Sequence, residues 1–82
     1  MAMMKMIITN SEIQILENNN LLGKIVFELS GNQLSILHTY AYQSGRGIGT
    51  QLMQEAIRWA KENEYTIVPI CSFAQKYVGR LQ

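Results

Sequence analysis

The 82 residues leave room for one domain, 1–82, and a formal charge of +1, from seven Lys and Arg scattered among six Asp and Glu, excludes a basic patch for nucleic acid. At 48% hydrophobic and 16% charged the chain is too apolar to be disordered, yet no run approaches the roughly 20 apolar residues that cross a bilayer. Its one cysteine, Cys71, rules out an internal disulfide and a multi-cysteine zinc site and fits a reducing compartment, so no metal and a cytoplasmic location are expected.

Met1 to Ile8 is apolar but passes quickly into Asn10, Ser11 and Glu12, which reads as a first strand rather than a signal peptide. Glu12 to Leu16 is a second strand with Ile13 and Ile15 on one face, and Asn18-Asn19-Asn20 supplies a turn because Asn tolerates left-handed backbone. In Gly23 to Ser30, Ile25, Phe27 and Leu29 alternate with Lys24, Val26 and Glu28, the period of a strand with one buried face. Gly31-Asn32 is a two-residue hairpin turn. The next strand, Gln33 to about Ala41, places Leu34, Ile36, His38 and Tyr40 on one face and Ser35, Leu37, Thr39 and Ala41 on the other. Both faces are partly apolar, so this strand is expected to be central. From Ile48 to about Asn63, Leu52, Met53, Ala56, Ile57, Trp59 and Ala60 recur at helical spacing, with Gln51, Glu55, Arg58 and Glu62 largely opposite. Tyr65 to Pro69 is a short buried strand with a β-branched centre, and Ser72 onward is a second helix. The order predicts an α+β fold: antiparallel strands leading into a right-handed strand-turn-helix-strand crossover, closed by a C-terminal helix.

The strongest chemical signal is Gly45-Arg46-Gly47-Ile48-Gly49, at the junction of the central strand and the long helix. Three alternating glycines let the backbone approach a ligand with no Cβ in the way, and the helix start offers unpaired N–H groups that suit a phosphate or pyrophosphate. Arg46 can add a charge-assisted contact to such a group. The spacing is not the Gly-x-Gly-x-x-Gly of dinucleotide folds, and no Gly-Lys-Ser/Thr follows as in a P-loop, which leaves an ordinary strand-to-helix turn as the alternative. His38 and Cys71 each stand near the C-terminal end of a predicted strand, where open α/β sheets bind ligands, and are expected to share one cleft. Their plainer readings are a hydrogen-bonded core histidine and a small buried hydrophobe.

Three segments occur in order over about residues 36–77: Ile36-Leu37-His38-Thr39-Tyr40, the glycine turn with Leu52 behind it, and Pro69-Ile70-Cys71-Ser72-Phe73-Ala74 followed by Tyr77. In this the chain resembles the GNAT superfamily of N-acetyltransferases, and within it the very short, single-domain acetyltransferase-like branch. The resemblance implies acetyl-CoA in a V-shaped gap between two splaying parallel strands, here those ending near Ala41 and Pro69. Ser44, Gly45, Arg46, Gly47, Ile48, Gly49 and Thr50 would hold the pyrophosphate. Thr39, Tyr40, Ala41 and Tyr42 would pair with the pantetheine arm and polarise the acetyl carbonyl. His38 is carried over as a base that takes an amine proton or activates a thiol, Cys71 as that candidate thiol, and Tyr77 as proton donor to the departing CoA thiolate.

The implied function is acetyl transfer from acetyl-CoA to an amine on a small molecule or a protein. From a different class, the alternative is a non-enzymatic CoA- or acyl-CoA-binding module acting through a protein partner. Two departures bear on both readings: Ser44 stands where the superfamily usually has Arg or Gln, and the N-terminal helices that build the acceptor site are missing. The acceptor site is therefore expected to be shallow or borrowed from a partner.

Overall fold

Asn18 and Asn19 take φ of 52° and 68°, and Gly31 takes 59°, so the chain turns back tightly after Glu17 and again after Ser30. In the computed structural model, which describes residues 4–80, these turns build antiparallel hairpins. The sheet has five strands in sequence order: β1 (Met4–Ile8), β2 (Glu12–Glu17), β3 (Asn20–Ser30), β4 (Gln33–Ala41) and β5 (Thr66–Pro69). The first four are antiparallel, whereas β4 and β5 are parallel and linked by α1 (Ile48–Glu62), with α2 (Ser72–Arg80) following. This is the α+β order expected. Positions 1–3 of the predicted first strand and 81–82 of the predicted last helix lie outside the described residues. β3 begins three positions earlier than its alternation indicates, because Asn20 already pairs with Glu17 across the asparagine turn.

One sheet face carries Ile13, Ile15, Ile25, Phe27, Leu34 and Ile36, and α1 lays Ile48, Leu52, Met53, Ala56 and Ala60 on it. α2 reaches the same core through Ala74. Burying each large aliphatic side chain contributes roughly 1.5–3 kcal/mol, so this sheet-helix layer is the main source of stability. Trp59 packs on Phe27 at 5.3 Å between ring centres and edge-on to Tyr65 at 5.4 Å, sealing the far end of α1. Leu29, expected on the buried face, is 38% exposed because it stands next to the open hairpin end. No described helix is long and apolar enough to cross a membrane.

Strict alternation breaks in the middle of β4. Val26 pairs with His38 but Phe27 pairs with Ile36, so Leu37 is an extra residue bulged out of the ladder. A one-residue slip sends every later side chain to the other face. Thr39 and Ala41, opposite Ile25 and Gly23, therefore join Leu34 and Ile36 on the helix face. His38 and Tyr40, opposite Val26 and Lys24, turn instead to the outer face, which no described helix covers. Simple alternation had grouped His38 and Tyr40 with Leu34 and Ile36.

Candidate functional site

The parallel pairing of β4 and β5 runs only from Gln33 opposite Thr66 to Ile36 opposite Pro69. The Ile36 carbonyl then accepts from the N–H groups of Ile70 (3.0 Å) and Cys71 (3.1 Å), which ends the ladder and turns the chain toward α2. β4 continues to Ala41 paired with β3 alone, so from Leu37 onward the edge that faced β5 is open. The two strands part where the bulge lies.

The glycine turn fills the other side of this opening. Gly45 and Gly47 have φ of 79° and 65°, left-handed values that side chains resist. Gly47 caps α1 without a side-chain hydrogen bond, and the first turn of the helix carries no acid. The first helical bond is Gln51 N–H to the Gly47 carbonyl (3.0 Å), so among the described residues the N–H groups of Ile48, Gly49 and Thr50 have no partner. Free donors at the positive end of a helix dipole suit an anion. A groove of about 240 Å³ runs from Thr39 and Ala41 past Ser44, Gly45 and Gly47 to Phe73 of α2, with the first residues of α1 as its floor. A larger hollow of about 340 Å³ between β1 and the β2–β3 turn has Lys5 as its only charged lining residue and no group placed for chemistry.

At the β4 end of the groove, Thr39 Oγ1 lies 3.3 Å from Cys71 Sγ, and the Ala74 N–H donates to the same sulfur at 3.4 Å. Cys71 thus caps α2 and is half-buried. His38 is on the far side of β4, its ring 5.9 Å from that of Tyr40, which in turn stacks on Tyr42 at 6.3 Å with Lys24 Nζ 6.0 Å from the Tyr40 ring. The expected sharing of one cleft by His38 and Cys71 is corrected: the Leu37 bulge keeps Thr39 with the cysteine and turns the histidine away.

Other predicted residues divide in the same way. Thr39, Ala41, Ser44, Gly45, Gly47, Ile48, Gly49 and Thr50 all border the groove, whereas the rings of Tyr40 and Tyr42 belong to the outer face. Arg46 directs its guanidinium to Glu17, with bonds of 3.0 and 2.7 Å, and to Gln43 at 2.8 Å, so the turn's backbone and not this side chain borders the groove. The pairing holds the Glu17 carboxyl below its ordinary range and raises the Arg46 guanidinium. Tyr77 lines a smaller annex with Thr50, Phe73 and Lys76, not the Thr39 end. Phe73 and Lys76 were missed as site residues; the legible signal was the four-residue spacing of Phe73 and Tyr77, which puts both rings on one helix face.

Residues 10–82 match the family described as GCN5-related N-acetyl-transferase. The chain belongs to that family. Its GNAT fold is shared with a GNAT family acetyltransferase from Elizabethkingia anophelis solved with acetyl-CoA bound, at 24% identity and a TM-score of 0.65 over 84% of this chain and 50% of that one. The PaiA N-acetyltransferase of Thermoplasma acidophilum, solved in complex with coenzyme A, aligns at 22% identity and a TM-score of 0.59 over 65% of this chain and 35% of that one. A GNAT family protein from Streptococcus pneumoniae aligns at 23% identity and a TM-score of 0.62 over 88% of this chain and 58% of that one. This GNAT chain thus spans between about a third and three fifths of the length of these structures. No curated protein matches it.

Proposed function

We propose that this chain binds acetyl-CoA in the groove between β4 and the glycine turn and acts as an N-acetyltransferase on an amine. The observation that carries the reading is the coincidence of the β4–β5 parting with three unpartnered N–H groups at the start of α1. The open β4 edge fits an extended, amide-bearing arm, and the capless helix start fits a pyrophosphate. When bound, the cofactor supplies an acetyl thioester that an amine can attack.

The chain's own residues are assigned as follows. Backbone groups of Gly45 to Thr50 hold the phosphates, and the free edge of β4 from Thr39 to Tyr42 orients the arm and polarises the acetyl carbonyl. Cys71, engaged by Thr39 and Ala74, lines the reactive end and caps α2, which supports direct transfer without acylation of the thiol. From the outer face, His38 has no contact with that thiol, so its role is to take the proton of an incoming amine on an imidazole nitrogen. The acceptor's proposed approach is consequently from the face opposite α1.

Calorimetric titration tests the cofactor site: acetyl-CoA and CoA both bind at sub-millimolar concentration, and silence of both ligands sinks the reading. Amine-dependent release of CoA then tests turnover. A second reading, a CoA-binding module without turnover, is favoured by the outer face, which no described helix covers. It predicts binding with no CoA release for any amine offered.

A further inference from the structure

The groove does not stop at the glycine turn. Thr50 and Phe73, which border it, also border a shallow annex of about 80 Å³ completed by Lys76 and Tyr77. Phe73 and Tyr77 stand one helical turn apart on α2 with their rings 6.4 Å apart and 19° from parallel, so the annex has a flat apolar wall with an ammonium group beside it. Its position follows from Gly49: a Cβ there would lie 2.8 Å from the Phe73 ring, and without one the aromatic edge of α2 closes onto the start of α1.

The charges single out Lys76. Lys24 is paired with Glu12, Arg46 with Glu17, and Arg58 with Glu55 and Glu62. Lys5 lies in the hollow beside β1, and Lys61 is in the last turn of α1, at the opposite end of that helix from the groove. Among the basic residues whose side chains are described, Lys76 alone borders the groove or its annex, and it makes no ion pair among the described residues. An unpaired cation one step from a cradle of backbone N–H groups marks a place for a second anionic group, separate from the one the helix start would hold. The annex is of a size for a phosphate group.

Resting on the acetyl-CoA reading above, we propose that Lys76 binds the 3′-phosphate of CoA in this annex and so makes the site selective for CoA over its 3′-dephospho form. The ribose that carries this phosphate is joined through its 5′-oxygen to the pyrophosphate, which places it next to Thr50 when the pyrophosphate sits on the glycine turn. Phe73 and Tyr77 provide the wall along which that end of the ligand lies.

The test is the affinity of CoA and of 3′-dephospho-CoA, by calorimetry at low ionic strength, for the wild-type chain, Lys76→Met and, as a remote charge control, Lys61→Met. The wild type is expected to bind CoA about tenfold tighter than dephospho-CoA, and this preference shrinks as salt is added. Lys76→Met loses that tenfold for CoA while its affinity for dephospho-CoA stays the same, and Lys61→Met changes neither. Both lysines are exposed, so the variants keep the fold, checked by circular dichroism. Equal wild-type affinities for the two ligands, or an equal loss of both in Lys76→Met, overturns the role of Lys76 and leaves the CoA site standing. If neither ligand binds the wild type, the CoA reading falls and the 3′-phosphate site with it.

Discussion

Gly49 and Gly23 show how one missing Cβ shapes this site. At Gly23 an added Cβ would come within 2.5 Å of the Tyr40 carbonyl and 2.7 Å of Ile48, and a backbone carbonyl inside a sheet cannot give way. At Gly49 the obstacle is the Phe73 ring, which is 39% exposed and can swing into the groove. Gly49→Ala is therefore expected to change stability by no more than about 1 kcal/mol, helped by the better helix propensity of Ala, while weakening CoA binding about tenfold or more. Denaturant melts and ligand titration of one preparation separate the two effects. His38 and Cys71 are separable in the same way. His38→Gln is expected to slow acetyl transfer about 100-fold with CoA affinity intact. Cys71→Ser keeps most of the activity, and intact-mass analysis after rapid quenching of the wild type with acetyl-CoA shows no added acetyl group. A prompt adduct on Cys71 would reverse that assignment in favour of transfer through the thiol.

At the scale of elements, the decisive one is β4. Its bulge at Leu37 puts Thr39 beside Cys71 and sends His38 outward, and it lies where β5 departs. Deleting Leu37 removes only the extra residue: Ile36 and Thr39 stay on the helix face with His38 between them on the outer face, so the faces are kept and the local break in the ladder is lost. The deletion is expected to leave Thr39 beside Cys71 and to cost about 1–3 kcal/mol by urea denaturation, from the altered twist of β4 and the lost side chain. Leu37→Ala keeps the extra residue and the faces, and is expected to cost less than about 2 kcal/mol because the side chain is only partly buried. Comparable losses for the two changes would mean that the side chain, not the extra position, is what matters there. The hairpins around β3 were legible because Asn18, Asn19 and Gly31 announce positive φ, a local property. The bulge was not, because Leu37 in sequence is simply one more apolar residue in an alternating run, and its extra position exists only relative to β3.

Across the whole molecule, charge ties the glycine turn to the hairpins. Glu12 pairs with Lys24 across β2 and β3, and Glu17 at the end of β2 holds Arg46 in the glycine turn. The Lys24 ammonium, with help from Gln14, depresses the Glu12 carboxyl, and the Arg46 guanidinium depresses that of Glu17, both below the ordinary glutamate value of 4.5. A carboxyl with a lowered folded pKa contributes stability that is complete above its unfolded pKa and is lost as pH falls through the folded one. Melting temperature is thus expected to be flat from pH 7 to about 5 and to fall below about 4.5. The Glu12→Gln, Glu17→Gln double variant has a shallower acid limb, and hydrogen exchange in its glycine turn is faster even at pH 7. An acid limb as steep as that of the wild type would assign the loss to other groups. Since neither pair is buried, the effect at neutral pH is small.

By itself the sequence determined what depends on near neighbours: the α+β order, the turns, the amphipathic face of α1 and a glycine-rich helix start fit for an anion. Ordered motifs extended this to the family, which the match over residues 10–82 shows. Only the tertiary structure decided which of those residues meet. Strand pairing placed the bulge, and the bulge parted His38 from Cys71. Helix packing turned Phe73 and Lys76 toward Thr50, and an ion pair drew Arg46 to Glu17. These contacts join positions distant in sequence, and local patterns specify which face a side chain takes only until the register slips by one.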